Sequence, residues 1–98
     1  MSLHVVTRER GPRWDPARPM REQDGWDDHA AFMDALAAER FVLLGGPVGA
    51  GEHRFLLVVD AADEAAVAAR LDEDPWMPAE MLRLVDVQPW TLLLGRAR

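Results

Sequence analysis

A segment with helical periodicity that passes without a linker into a strand leaves a short chain few ways to fold, and Trp26 to Pro47, WDDHAAFMDALAAERFVLLGGP, is such a segment. Trp26, His29, Met33, Leu36 and Arg40 recur at three-to-four spacing on one face, with Phe32 and Ala37 beside them. The spacing predicts a helix from about Asp24, whose carboxylate can cap the first amides while Asp27 and Asp28 sit at the positive end of the dipole. FVLLG, residues 41–45, follows at once as a strand.

The remaining elements fall on either side of this pair. Leu3 to Thr7 is rich in branched apolar residues and reads as a first strand. Between Arg8 and Gln23, Pro12, Pro16 and Pro19 exclude regular helix, and Arg10, Arg13, Arg18 and Arg21 alternate with Trp14 and Met20. So long a connection is either a lid or binding loop, or a proline-stiffened cover over a sheet edge. The glycine-rich turn from Gly46 to Gly51 joins the strand at 41–45 to another at Phe55 to Val59 as a hairpin. Asp63 caps a second helix carrying Val67 and Leu71, which must stop before Pro75. Leu82 to Val87 reads as a fourth strand, and Thr91 to Leu94 as a C-terminal strand or an extension of it.

Strand, helix, strand, strand, helix, strand is the order of the ferredoxin-like βαββαβ unit, an α+β fold with an antiparallel sheet. With the strands in the order four, one, three, two, the arginine-rich loop, the start of the first helix, the glycine turn and the end of the second helix share one end. His29 and Asp74 then converge. FVLL and FLLVV are apolar at both parities, so both sheet faces need cover, yet the chain has helices for only one; a second copy, giving a homodimer, is the expected cover.

The 98 residues suit a single domain spanning 1–98, and no apolar run approaches the roughly 20 residues that cross a bilayer. Without a secretion signal or any cysteine, the expected compartment is the cytoplasm. A net charge of −6, with the acids spread through folded elements, argues against nucleic acid as a partner. There is no lysine, cysteine, tyrosine or asparagine, and Ser2 is the only serine. Schiff-base, thiolate and phosphate-loop chemistry are thereby excluded, and a serine triad would need a terminal residue. Three scattered histidines make no metal spacing, and GGPVGAG leads into a strand where a dinucleotide or phosphate loop needs a helix. What remains is proton transfer by His, Asp, Glu or Arg.

His29, bordering the apolar stripe, is the candidate base, and Asp74, held extended before Pro75, its partner. Each also has a structural reading: a hydrogen-bonded core histidine, and ordinary Asp-Pro helix termination. Asp34 is a poorer partner because five residues along a helix turn it about 140° away from His29. Arg18 or Arg21 could neutralise substrate charge, and Trp14, Trp26 and Trp76 could wall the site.

REQDGWDDHAAFMDALAAERFVLLGGPVG, FLLVVDAADEAAVAARLDEDPW and VQPWTLLLG together resemble the YCII-related proteins over nearly the whole chain. The resemblance implies a dimeric α+β barrel and a site pairing the histidine of the first helix with the aspartate of a DP motif, here His29 and Asp74. Some members resemble muconolactone-isomerase-type enzymes, and one type is a cofactor-free dehydrochlorinase of a chlorinated hydroxyquinol. Arg40 departs from the pattern, standing where related sequences often carry a helix-ending glycine. A left-handed arginine there costs about 1 kcal/mol, which predicts a different helix end. The function expected is a small cofactor-independent acid–base enzyme, a lyase, isomerase or eliminating dehalogenase acting on a small anionic or aromatic molecule. The alternative is a noncatalytic dimeric module that binds a ligand or partner; monooxygenase-like chemistry rests on fold analogy alone.

Overall fold

The computed structural model describes residues 2–95. The elements are β1 (Leu3–Arg10), α1 (Trp26–Ala38), β2 (Val42–Val48), β3 (Arg54–Asp60), α2 (Glu64–Leu71) and β4 (Leu82–Pro89), with a 3-10 turn at Met20–Glu22. Every pairing is antiparallel and the order is β2-β3-β1-β4, the expected ferredoxin-like α+β arrangement. No helix among the described residues is long and apolar enough to cross a membrane.

β1 continues past Thr7 to Arg10, and its alternation puts His4, Val6 and Arg8 on one face, all buried. Val6 packs there with Leu36, Val42, Leu57, Val59, Val67 and Leu71 between sheet and helices. Irregular register lets apolar residues at odd spacing share this face. Val6 pairs with Val87 and Arg8 with Leu84, so Val85 is the extra residue of a bulge in β4; a similar shift falls between Val42 and Leu44. The opposite face carries half-buried Val5, Leu56 and Val58, and leaves Leu44 70% and Val85 41% exposed.

Helix ends account for two differences from expectation. Asp24 does not cap α1: Gly25 is the N-cap, with φ 76°, and no side chain caps the helix. The left-handed glycine turns the chain, and the Asp24 carboxylate points instead towards Arg18, 3.6 Å from its Nη1. At the other end Arg40 does take up the left-handed conformation, φ 61°, so the helix end is the one a glycine would have made. Phe41 N donates to Leu36 O at 3.0 Å and Arg40 N to Ala37 O at 3.1 Å, the paired bonds of a Schellman motif. Leu36 is in the core and Phe41 packs against it, which offsets the backbone cost. Asp63 caps α2 as expected, its side chain accepting from Ala66 N at 2.8 Å.

The proline-rich connection is a packed cover. Trp14 joins Phe55, Trp76, Met81 and Leu82 in a second apolar cluster. Buried Gln23 ties the loop to itself, its Nε2 donating to Asp15 O (2.7 Å) and Arg18 O (2.8 Å). Arg10 donates to Glu52 O at 2.8 Å and Gly51 O at 2.6 Å, and Met20 N donates to Glu52 Oε1, so loop and hairpin turn meet at one end of the sheet. Among the described residues, Thr91 to Leu94 forms neither the expected C-terminal strand nor an extension of β4. The last ladder position leaves Trp90 N on Leu3 O, and with no neighbouring strand to pair, Leu93 and Leu94 stand 74% and 83% exposed.

Candidate active site

The second apolar cluster and the first turns of α1 meet at the end of the sheet where α2 terminates. Asp74 N donates to Leu71 O, closing α2, and Pro75 forces the chain out of the helix. The Asp74 carboxylate then folds forward so that Oδ1 accepts from Trp76 N at 2.9 Å, an Asx-type turn. This places one wholly buried carboxylate beneath α1, facing one buried histidine.

His29 Nδ1 lies 2.9 Å from both Asp74 oxygens. From the sheet side, Arg8 Nη1 donates to Oδ2 at 2.9 Å, with the guanidinium 2% and the carboxylate 0% exposed. Burial, the largest influence, pushes Asp74 up. The hydrogen bond and charge of His29, the Trp76 amide and the charge of Arg8 together outweigh it and hold the carboxyl below its ordinary value of 3.8. Burial likewise lowers Arg8, with Asp74 opposing it.

An ionised Asp74 has no proton to offer, so Nδ1 of His29 donates, and in the neutral ring Nε2 carries the lone pair. Nε2 has no hydrogen-bond partner among the described residues. The ring is also held flat, stacked on the Trp76 indole with centroids 3.9 Å and planes 10° apart. Trp76 is itself pinned, its Nε1 donating to Asp24 O at 2.8 Å and its edge meeting Trp14 at 5.6 Å.

A cavity of about 290 Å³ opens beside this histidine, its wall including Arg8, Trp26, His29, Met33, Phe55 and Trp76. It is small and mostly apolar, with much of β2 in its wall and only Arg8, His29 and Asp34 as charged or ionisable lining. Of the residues named from sequence, His29, Asp74, Trp26 and Trp76 come together; Asp74 sits behind His29 and outside the cavity wall. Trp14 is buried behind Trp76. Arg18 lies on the surface near Asp15 and Asp24, and Arg21 rests over the Trp26 ring at 5.7 Å; neither lines the cavity. Exposed Asp34 does contribute to the wall, despite its angular distance from His29.

Arg8 is the residue that sequence reasoning missed. Ending the first strand at Thr7 left it in the loop, whereas the parity of His4 and Val6, continued by one step, places it inward. Among the described residues no three His, Asp or Glu side chains come close enough to hold a metal ion.

No family model matches the chain, and no curated protein matches it by sequence. Among solved structures it is similar to the 5-chloro-2-hydroxyhydroquinone dehydrochlorinase TftG from Burkholderia phenoliruptrix AC1100, in complex with 2,5-dihydroxybenzoquinone. The TM-score is 0.62 at 23% identity, over 91% of this chain and 93% of that one. At this identity the likeness is one of fold, and it is the ferredoxin-like α+β fold that the two share.

Proposed function

We propose that this protein is a cofactor-independent acid–base enzyme of the YCII-related type, catalysing a lyase, isomerase or dehalogenase-type elimination on a small aromatic or anionic molecule. The observation that carries the reading is the His29–Asp74 pair: a buried, ionised carboxylate on Nδ1 that leaves Nε2 free beside a largely apolar cavity. His29 takes a proton from the substrate, Asp74 fixes its tautomer and steadies the imidazolium, Trp26 offers the substrate an apolar wall, and Trp76 backs the imidazole ring. Trp14 supports Trp76 from behind.

The fold neighbour's dehydrochlorination of a small hydroquinone supplies the first substrate to try. Chloride release from 5-chloro-2-hydroxyhydroquinone, followed with wild type and His29→Ala, should differ by roughly 10²–10⁴-fold. Equal turnover by the two proteins removes the mechanism.

The noncatalytic alternative draws on a different feature of the same contacts. Asp74 bridges β1, α1 and the turn after α2, as a structural clamp would. If His29→Ala and Asp74→Asn lower the melting temperature and leave ligand binding unchanged, the clamp is their whole role. We further propose a homodimer built through the sheet face that carries Val5, Leu44, Leu56, Val58 and Val85, because contiguous exposed apolar area of this kind favours a second copy.

A further inference from the structure

We infer that Arg8 is the anion-binding residue of the cavity, selecting a planar single-ring ligand that carries, or acquires on losing a proton, one negative charge. The inference rests on the proposed site but not on its catalysis. A guanidinium has five N–H donors, and that of Arg8 is almost wholly buried with one strong acceptor, Asp74 Oδ2. Its remaining described contacts are thioether sulfurs, Met33 at 3.5 Å from Nη2 and Met77 at 3.9 Å from Nη1, which accept weakly. Arg8 Nε is buried and has no partner among the described residues. Buried donors are normally satisfied, and this one belongs to a residue in the wall of a cavity able to admit an acceptor.

The charge count agrees. Arg8 and Asp74 together are neutral, and an imidazole that acts as a base starts in its neutral form. When Nε2 of His29 takes a proton from a C–H or O–H of the ligand, the electron pair of that bond stays on the ligand as an oxyanion or enolate. The buried triad then carries +1 opposite the new −1, in surroundings that screen poorly. Asp34 is the one acidic side chain in the cavity wall, and being exposed it is screened by water. The apolar wall, which includes half-buried Trp26 and Met33, and the volume of about 290 Å³ suit one ring.

Isothermal titration at about pH 7 with benzoate and its neutral isostere benzamide tests this. Wild type should bind benzoate about tenfold more tightly, the effect of one charge-assisted hydrogen bond. The double variant Arg8→Met with Asp74→Asn removes both buried charges together, so it keeps a balanced interior, and it should bind the two alike. Asp74→Asn frees Arg8 of its counterion and should tighten benzoate further while abolishing turnover, which separates anion binding from proton transfer. Should that single variant not fold, Arg8→Lys takes its place, keeping the charge and losing the fork, and its preference for benzoate should fall below wild type. Equal affinity for the two ligands in wild type, absence of benzoate binding, or a preference retained by the double variant overturns the assignment. Loss of turnover in His29→Ala alongside any of those results would leave the acid–base reading standing without Arg8.

Discussion

The imidazole of His29 lies flat on the indole of Trp76, 3.9 Å away, and the same short turn that supplies the indole supplies, two residues earlier, the carboxylate on Nδ1. One segment therefore fixes both the plane and the tautomer of the histidine. Gly25 completes the support: its carbonyl accepts from His29 N at 3.0 Å, and a Cβ on it would stand 3.3 Å from Trp76 Nε1.

Gly25→Ala should accordingly cost about 1–2 kcal/mol, from the positive φ and from crowding against the indole. Urea unfolding measures the cost. A shifted tryptophan emission in the folded variant would report displacement of Trp76.

The buried ion pair of Arg8 and Asp74 is balanced only while both partners are present. Arg8→Ala should destabilise by about 3–5 kcal/mol, because it leaves a carboxylate in the interior with less compensation. Combined with Asp74→Asn, the loss should be well short of the sum of the two single losses, a double-mutant cycle that chemical denaturation can complete.

Acid should weaken the fold through Asp74. Its folded value lies below the ordinary 3.8, so on acidification the unfolded chain binds a proton first. The contribution of Asp74 is full above the ordinary carboxylate range and is lost as pH falls from there through the folded value. Denaturant midpoints measured from about pH 6 downwards should therefore fall more steeply for wild type than for Asp74→Asn.

Arg40 offers a change in the other direction. Arg40→Gly removes the strain of φ 61° at the end of α1 while the motif's two hydrogen bonds stay, and should stabilise the protein by about 1 kcal/mol. A thermal midpoint unchanged or lowered would show that the arginine side chain compensates elsewhere.

Leu44→Glu tests the dimer. Leu44 is 70% exposed in the single chain and pairs with Val58 across the sheet. Light scattering should find a dimer for wild type and a monomer for the variant, since a charge in an apolar interface costs several kcal/mol.

Periodicity, caps and breakers are local properties, so the element order, the Asp63 cap and the stop before Pro75 were all readable along the chain. Topology then followed from that order, and with it the meeting of His29 and Asp74 from 45 positions apart. Which charged residue joins them was another matter. An arginine at the end of an apolar strand reads as surface, and Arg8 is interior because β1 runs on to Arg10 and the Asp74 carboxylate waits opposite. Equally, Asp24 carries the right side chain for a cap, but the left-handed turn at Gly25, packed against Trp76, took that position. Thr91 to Leu94 has the composition of a strand and, among the described residues, no strand to pair with. Local sequence determines which conformations a segment can adopt; the packing of distant segments decided which buried donors found acceptors, and left Arg8 Nε, on a residue of the cavity wall, without one among the described residues.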